Sequence, residues 1–185
     1  MAKVIAVANN KGGVGKTTTS SALLYGLSRS LRSYDEAGKV KVDGYVLGID
    51  LDPQGNLGDV FGLRHADRSF GGACISNVLE AVATGASGDE LIDTVKENII
   101  SAHRADAPRE NLFILPASRE LEYVSDELVM RQVSRRSNGF DLSTVLTDAL
   151  APVLERFEYI VIDCPPKLDT LKSAVYNFAD WVIVP

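Results

Sequence analysis

Apolar residues recur along this chain in two rhythms. Short unbroken runs form one: Val4-Ile5-Ala6-Val7-Ala8, Tyr45-Val46-Leu47-Gly48-Ile49, Leu112-Phe113-Ile114-Leu115, Tyr159-Ile160-Val161-Ile162 and Trp181-Val182-Ile183-Val184. They are rich in β-branched and aromatic residues, and turn-forming or polar residues close them. Runs of that length predict strands buried on both faces, as in a parallel sheet. The other rhythm has helical spacing. It predicts helices from Lys16 to about Leu31, over 75–82, over 120–133, over 142–157 and over 168–178, with a helix or a helix–strand unit from Glu90 to Ile100. Strands alternating with helices define an α/β protein: a mostly parallel, twisted sheet with helices on both faces.

The segments between carry less information. Residues 32–44 are polar, contain Gly38 and Gly44, and read as a solvent-exposed insertion. Residues 57–109 show the weakest pattern, with Phe70-Gly71-Gly72 reading as a turn. The chain's 185 residues, 45% of them hydrophobic, suit a single domain, 1–185, with a two-sided sheet. A net charge of −6 argues against coating nucleic acid by overall charge, although a local basic patch is compatible with it. No 18-residue apolar run predicts a membrane span. Met1-Ala2-Lys3 leads straight into the first strand, which predicts no signal peptide and no preceding DNA-binding domain. Cys74 and Cys164 lack metal-ligand spacing and read as reduced thiols. His65 and His103 stand alone in polar surroundings and receive no role.

Chemistry concentrates where the first strand meets the first helix, at Asn9-Asn10-Lys11-Gly12-Gly13-Val14-Gly15-Lys16-Thr17-Thr18. Glycines here allow positive φ, so that the amides can turn inward as an anion nest at the positive end of a helix. Lys16 would bring charge to the β- and γ-phosphates of a nucleotide, and the Thr17 hydroxyl would take one position on Mg²⁺. Asp50 and Asp52 close the second strand and Asp163 closes the fourth, at the strand ends where open α/β sheets bind ligands. The plainer alternatives are a glycine-rich hairpin and two turn-capping aspartates; the strand–loop–helix context disfavours both.

Asn10 stands where an ordinary P-loop has its first glycine, and Lys11 is an additional lysine. Lys11-Gly12-Gly13-Val14-Gly15-Lys16-Thr17 resembles the deviant Walker A motif of the ParA/MinD group of P-loop ATPases. Asp50-Leu51-Asp52-Pro53-Gln54-Gly55-Asn56 resembles the Walker A′ motif of the ParA branch, and Tyr159-Ile160-Val161-Ile162-Asp163-Cys164-Pro165-Pro166 its Walker B strand. Leu115-Pro116-Ala117-Ser118 resembles a further ParA segment.

The resemblance implies ATP held by Lys11 through Thr18, with Mg²⁺ on the side of Thr17, Asp50 and Asp163. It implies Lys11, Lys16 and Asp52 as the residues of hydrolysis: Lys11 reaching a partner's nucleotide across an ATP-dependent homodimer, Asp52 aligning the attacking water. It further implies slow, partner-stimulated ATPase activity that partitions plasmid or chromosomal DNA. Non-specific DNA and a ParB-like centromere-binding protein would be the partners, with no membrane involved and a cytoplasmic, nucleoid-associated location. Arg131, Arg135 and Arg136 would be either DNA-phosphate contacts or simply cations at a helix C-terminus.

Rival readings are a MinD-like positioning ATPase, an iron–sulfur or ligase relative, and a module that binds ATP without hydrolysing it. Asp52-Pro53-Gln54-Gly55-Asn56 weighs against the first, Cys164 beside Asp163 against an iron–sulfur relative, and Asp52 with Asp163 against the last, while a ligase would need a substrate pocket that the sequence does not show. Family members continue past the last strand, so the chain is expected to lack their C-terminal part, and to bind nucleotide poorly and associate when alone.

Overall fold

The computed structural model describes residues 1–63, 72–134, 140–167 and 170–185. His65, Phe70, Gly71, Arg135, Arg136, Gly139 and Leu168 lie outside the described residues.

The predicted buried runs become strands β1 (Lys3–Val7), β4 (Val46–Asp50), β6 (Leu112–Leu115), β7 (Tyr159–Asp163) and β8 (Trp181–Ile183). With the short β5 (Ile100–Ser101) they form one sheet in the order β5-β6-β4-β7-β1-β8. All pairs are parallel except β5 with β6. Alternate side chains feed two separate cores. Ala6, Ile49, Leu115 and Ile162 face one, Val7, Val46, Ile114 and Val161 the other. Helices therefore cover both faces. Helix α1 (Lys16–Ser30) and the short α2 (Asn56–Val60) take one, through Leu24 and Leu57. On the other lie α3 (Ile75–Thr84), α4 (Gly88–Asn98), α5 (Glu120–Ser134), α6 (Val145–Leu150) and α7 (Lys172–Phe178).

At Gly48 the side chain of Leu24 on α1 packs tightly against the sheet. A Cβ there would stand 2.7 Å from a Leu24 methyl and 2.8 Å from one of Ile114.

Three elements differ from the sequence expectation. Residues 32–44 hold an ordered hairpin, β2 (Arg32–Tyr34) with β3 (Val40–Val42), antiparallel. Asp35 closes its turn: one carboxylate oxygen accepts the amides of Ala37 and Lys39, at 3.0 and 2.7 Å. Arg32 ties the hairpin to the body through Glu110, at 2.9 Å. The helix expected over 142–157 is only α6, followed by a single 3-10 turn at Leu154–Arg156. Pro152 accounts for this, since it has no N–H and its ring crowds the preceding turn. Finally, α2 forms directly after the Asp52 turn, in a stretch whose periodicity had given no helix.

Candidate nucleotide site

The C-terminal ends of β1, β4 and β7 meet at one edge of the sheet and carry the glycine loop, Asp50 with Asp52, and Asp163. Register places Asp50 opposite Asp163, and Val7 opposite Asp163 on its other side. All three sequence motifs are thereby brought together.

In the loop after β1, Gly13 and Gly15 take left-handed backbone conformations, φ 70° and 87°, where a side chain would be strained. Beyond its chain neighbours, a Cβ on Gly12, Gly13 or Gly15 would meet no atom of the described residues within 4 Å. The bend is thus a backbone requirement, and the space beside it is open. Gly15 caps α1 without a side-chain hydrogen bond, and the first turn of α1 holds no acidic residue. The amides there remain available to an anion. Lys16 is buried, with Nζ donating to the Lys11 carbonyl at 3.0 Å, so its charge is held inside the loop. The Lys11 side chain is exposed. Asn9, which the glycine pattern did not single out, anchors the loop: Oδ1 accepts the Lys11 amide at 3.0 Å, and Nδ2 donates to the Pro185 carbonyl at 2.7 Å.

The aspartates are unequal. Asp50 is fully buried, and its two oxygens accept the amides of Asp52 and Leu57, at 3.0 and 3.1 Å. It braces the turn between β4 and α2. Burial pushes its carboxyl up to about 8; the Asp52 amide pulls the other way, and the charges of Asp163 and Asp52 add to the rise. Asp52 is half-buried, with Oδ1 accepting the Gln54 amide at 3.0 Å and its carbonyl accepting the Gly55 amide. Asp163 is buried, and Oδ1 accepts the Ser20 hydroxyl at 2.8 Å. Its Oδ2 is buried with no hydrogen-bond partner among the described residues. Burial raises its carboxyl above the usual range, while the hydroxyls of Thr17 and Ser20 draw it back. Ser20 is a second residue the motif reading passed over. A signal for it exists, because it follows Lys16 by one helical turn on the inward stripe Lys16, Ser20, Leu24, Ser28.

Beside the loop lies a cleft of about 620 Å³, walled by Gly12, Asp52, Gln54, Glu122, Asp126 and Pro166. A cavity of similar volume sits at the opposite end of the sheet, around Tyr45, Phe113 and Phe157, away from these groups. An uncapped helix N-terminus beside a buried carboxylate oxygen without a partner suits a polyanion carrying a hard cation. Thr17 and Asp163 fit Mg²⁺, which takes few protein ligands and draws the rest from phosphate and water. Cys74 and Cys164 are both free and buried, and burial, then the Asp163 charge, pushes the Cys164 thiol up to about 12. Among the described residues no helix is long and apolar enough to cross a membrane.

Fold and site together define a P-loop NTPase of the doubly covered, mostly parallel type. The profile of the AAA domain family matches residues 2–185, and the chain belongs to that family, as one of its ParA/Soj-type members.

The chain is 33% identical over 185 residues to the sporulation initiation inhibitor protein Soj of Bacillus subtilis, covering 100% of this chain and 58% of that one. It is 30% identical to the chromosome partitioning protein ParA of Myxococcus xanthus, covering 99% of this chain and 51% of that one. It thus spans a little over half the length of these curated relatives.

Among solved structures, apo McdA of Cyanothece superposes with a TM-score of 0.73 at 24% identity, over 100% of this chain and 58% of that one, and shows the shared fold. Cobyrinic acid a,c-diamide synthase of Mycobacterium smegmatis, solved with an ATP analog and magnesium, superposes with a TM-score of 0.70 at 29% identity, over 100% of this chain and 58% of that one.

Proposed function

We propose that this chain is the ATP-hydrolysing part of a DNA-partitioning switch. The observation that carries the nucleotide reading is the uncapped start of α1, with Gly13 and Gly15 left-handed and Lys16 folded into the loop. The amides from Gly12 to Thr18, Val14 included, line the phosphates, and Lys16 balances their charge. Thr17 and Asp163 hold Mg²⁺, and Asp50 supports them by fixing the turn that follows β4. Bound there, the metal supplies positive charge to the phosphate oxygens. Asp52 directs the attacking water from its place in the cleft wall. Positioning of this kind serves phosphoryl transfer without a strong base. The products are ADP and phosphate, formed slowly until a partner stimulates the step.

Partitioning rests on the similarity to Soj and ParA proteins and on Asp52-Pro53-Gln54-Gly55-Asn56. In this reading ATP favours a homodimer in which Lys11, exposed at the mouth of the loop, reaches the partner's nucleotide. The dimer binds DNA without sequence preference, a ParB-like protein triggers hydrolysis, and the protein works in the cytoplasm on the nucleoid. Loss of the γ-phosphate then shifts the population back to monomers.

The deciding experiment measures DNA binding by the full chain with ATP and with ADP at one stated salt concentration. Binding in ATP alone, abolished by Lys11→Ala, is the expected result. No DNA binding in either state, with ATPase intact, would sink the partitioning role and leave a positioning ATPase of the MinD kind.

A further inference from the structure

Helix α1 carries four serines, and three of them bond back to their own helix. Ser21 Oγ donates to the Thr18 carbonyl at 3.0 Å, Ser28 to Tyr25 at 3.0 Å and Ser30 to Leu27 at 2.8 Å. Ser20 alone turns away, and donates at 2.8 Å to Asp163 Oδ1, across 143 positions of sequence. Both residues are buried, so this bond is not exchanged with water. The serine hydroxyl donates and the carboxylate oxygen accepts.

The bond divides the two oxygens of Asp163. Oδ1 is occupied, while Oδ2 is buried and has no hydrogen-bond partner among the described residues, with the Thr17 hydroxyl near the same carboxylate. An orphaned buried carboxylate oxygen is costly, and native proteins keep one where a ligand completes it. The neighbouring carboxylate, Asp50, makes the contrast. It sits opposite Asp163 in register, yet both of its oxygens are taken by amides. Of two adjacent buried aspartates, one is saturated and one is half open.

From this asymmetry we infer that Ser20 is a positioning residue for the metal, an inference that rests on the ATPase reading above. By occupying Oδ1 it locks the rotamer of Asp163 and keeps Oδ2 for the cation that accompanies the nucleotide. Ser20 itself touches neither nucleotide nor metal. A serine one turn beyond Lys16 therefore belongs to the site although it lies outside the glycine-rich motif.

The test compares affinity for a fluorescent ATP analogue in Mg²⁺ and in EDTA, using the full chain. Ser20→Ala removes the hydroxyl; Ser20→Cys keeps a side chain of similar shape and loses the strong donor. Both are expected to shrink the gain in affinity from Mg²⁺ by about tenfold, as partners of metal ligands commonly do. Affinity in EDTA should stay within about twofold of wild type, since the loop itself is untouched. In an Asp163→Asn background, Ser20→Ala should bring no further loss. A second readout needs no nucleotide: the urea midpoints of Ser20→Ala, Asp163→Asn and the double variant should be non-additive, as for residues in direct contact. A wild type that responds to Mg²⁺ while Ser20→Ala responds equally would overturn the inference alone. A wild type indifferent to Mg²⁺ would overturn the ATPase reading, and this inference with it.

Discussion

Asp50 and Asp163 stand side by side on adjacent parallel strands, register partners at the ends of β4 and β7, and both are buried. Burial disfavours the charge of both, and the charge of Asp163 adds to the effect on Asp50. The arrangement is an electrostatic load on the free protein that a bound cation would relieve.

A pH dependence follows. The Asp50 carboxyl is raised to about 8 in the folded chain, against 3.8 ordinarily. The folded state holds this proton more tightly than the unfolded one, so the group's contribution to stability is fully present below 3.8. It is lost as pH rises through about 8. Asp163 is shifted in the same direction. Urea unfolding without nucleotide should give a lower midpoint at pH 8.5 than at pH 6, and Asp50→Asn should flatten that slope. A slope that Asp50→Asn leaves unchanged would rule out this assignment.

The two lysines of the loop should separate. Lys16 is folded into the loop and Lys11 is exposed. Lys16→Ala should weaken ATP binding by about 1.5–3 kcal/mol, the range for hydrogen bonds to charged groups. Lys11→Ala should leave ATP affinity of the monomer near wild type while abolishing dimerisation-dependent hydrolysis. Titration calorimetry and phosphate release distinguish the two; equal losses of affinity would refute the division.

Gly48→Ala tests packing apart from chemistry. Its added Cβ would lie 2.7 Å from Leu24 and 2.8 Å from Ile114, well inside contact distance. Overpacking of this kind costs about 1–3 kcal/mol. Leu24 is on α1, so the helix should be pushed off the sheet and the loop displaced with it. The expected readout is a lower urea midpoint together with weaker nucleotide binding, although no site residue is altered.

Cysteine labelling probes the interior. Cys74 and Cys164 are buried, and the Cys164 thiol is pushed up to about 12. Neither should react with a thiol reagent in the native protein at neutral pH, and both should react once urea unfolds it. Rapid labelling of Cys164 in the native state would contradict its burial at the end of β7.

Much of this architecture was written locally. Runs such as Tyr159-Ile160-Val161-Ile162 suit a strand buried on both faces, and strands alternating with helical periods leave the doubly covered parallel sheet as the economical solution. The anion loop is also local, because Gly13 and Gly15 supply backbone conformations that other residues resist. Where local signals competed, the reading fell short. Pro152 cuts short the helix that periodicity predicts over 142–157, and the Asp35 turn folds residues 32–44, which read as a surface connection, into a hairpin.

Tertiary structure alone decided which groups meet. Strand order brought Asp163 between Val7 and Asp50, and the packing of α1 delivered Ser20 to Asp163 across 143 positions. Sheet register and helix docking are long-range relations that no short window of sequence contains. The inequality of the two aspartates is one of them: Asp50 saturated by amides and Asp163 half open, in a chain whose motifs present both simply as carboxylates at strand ends.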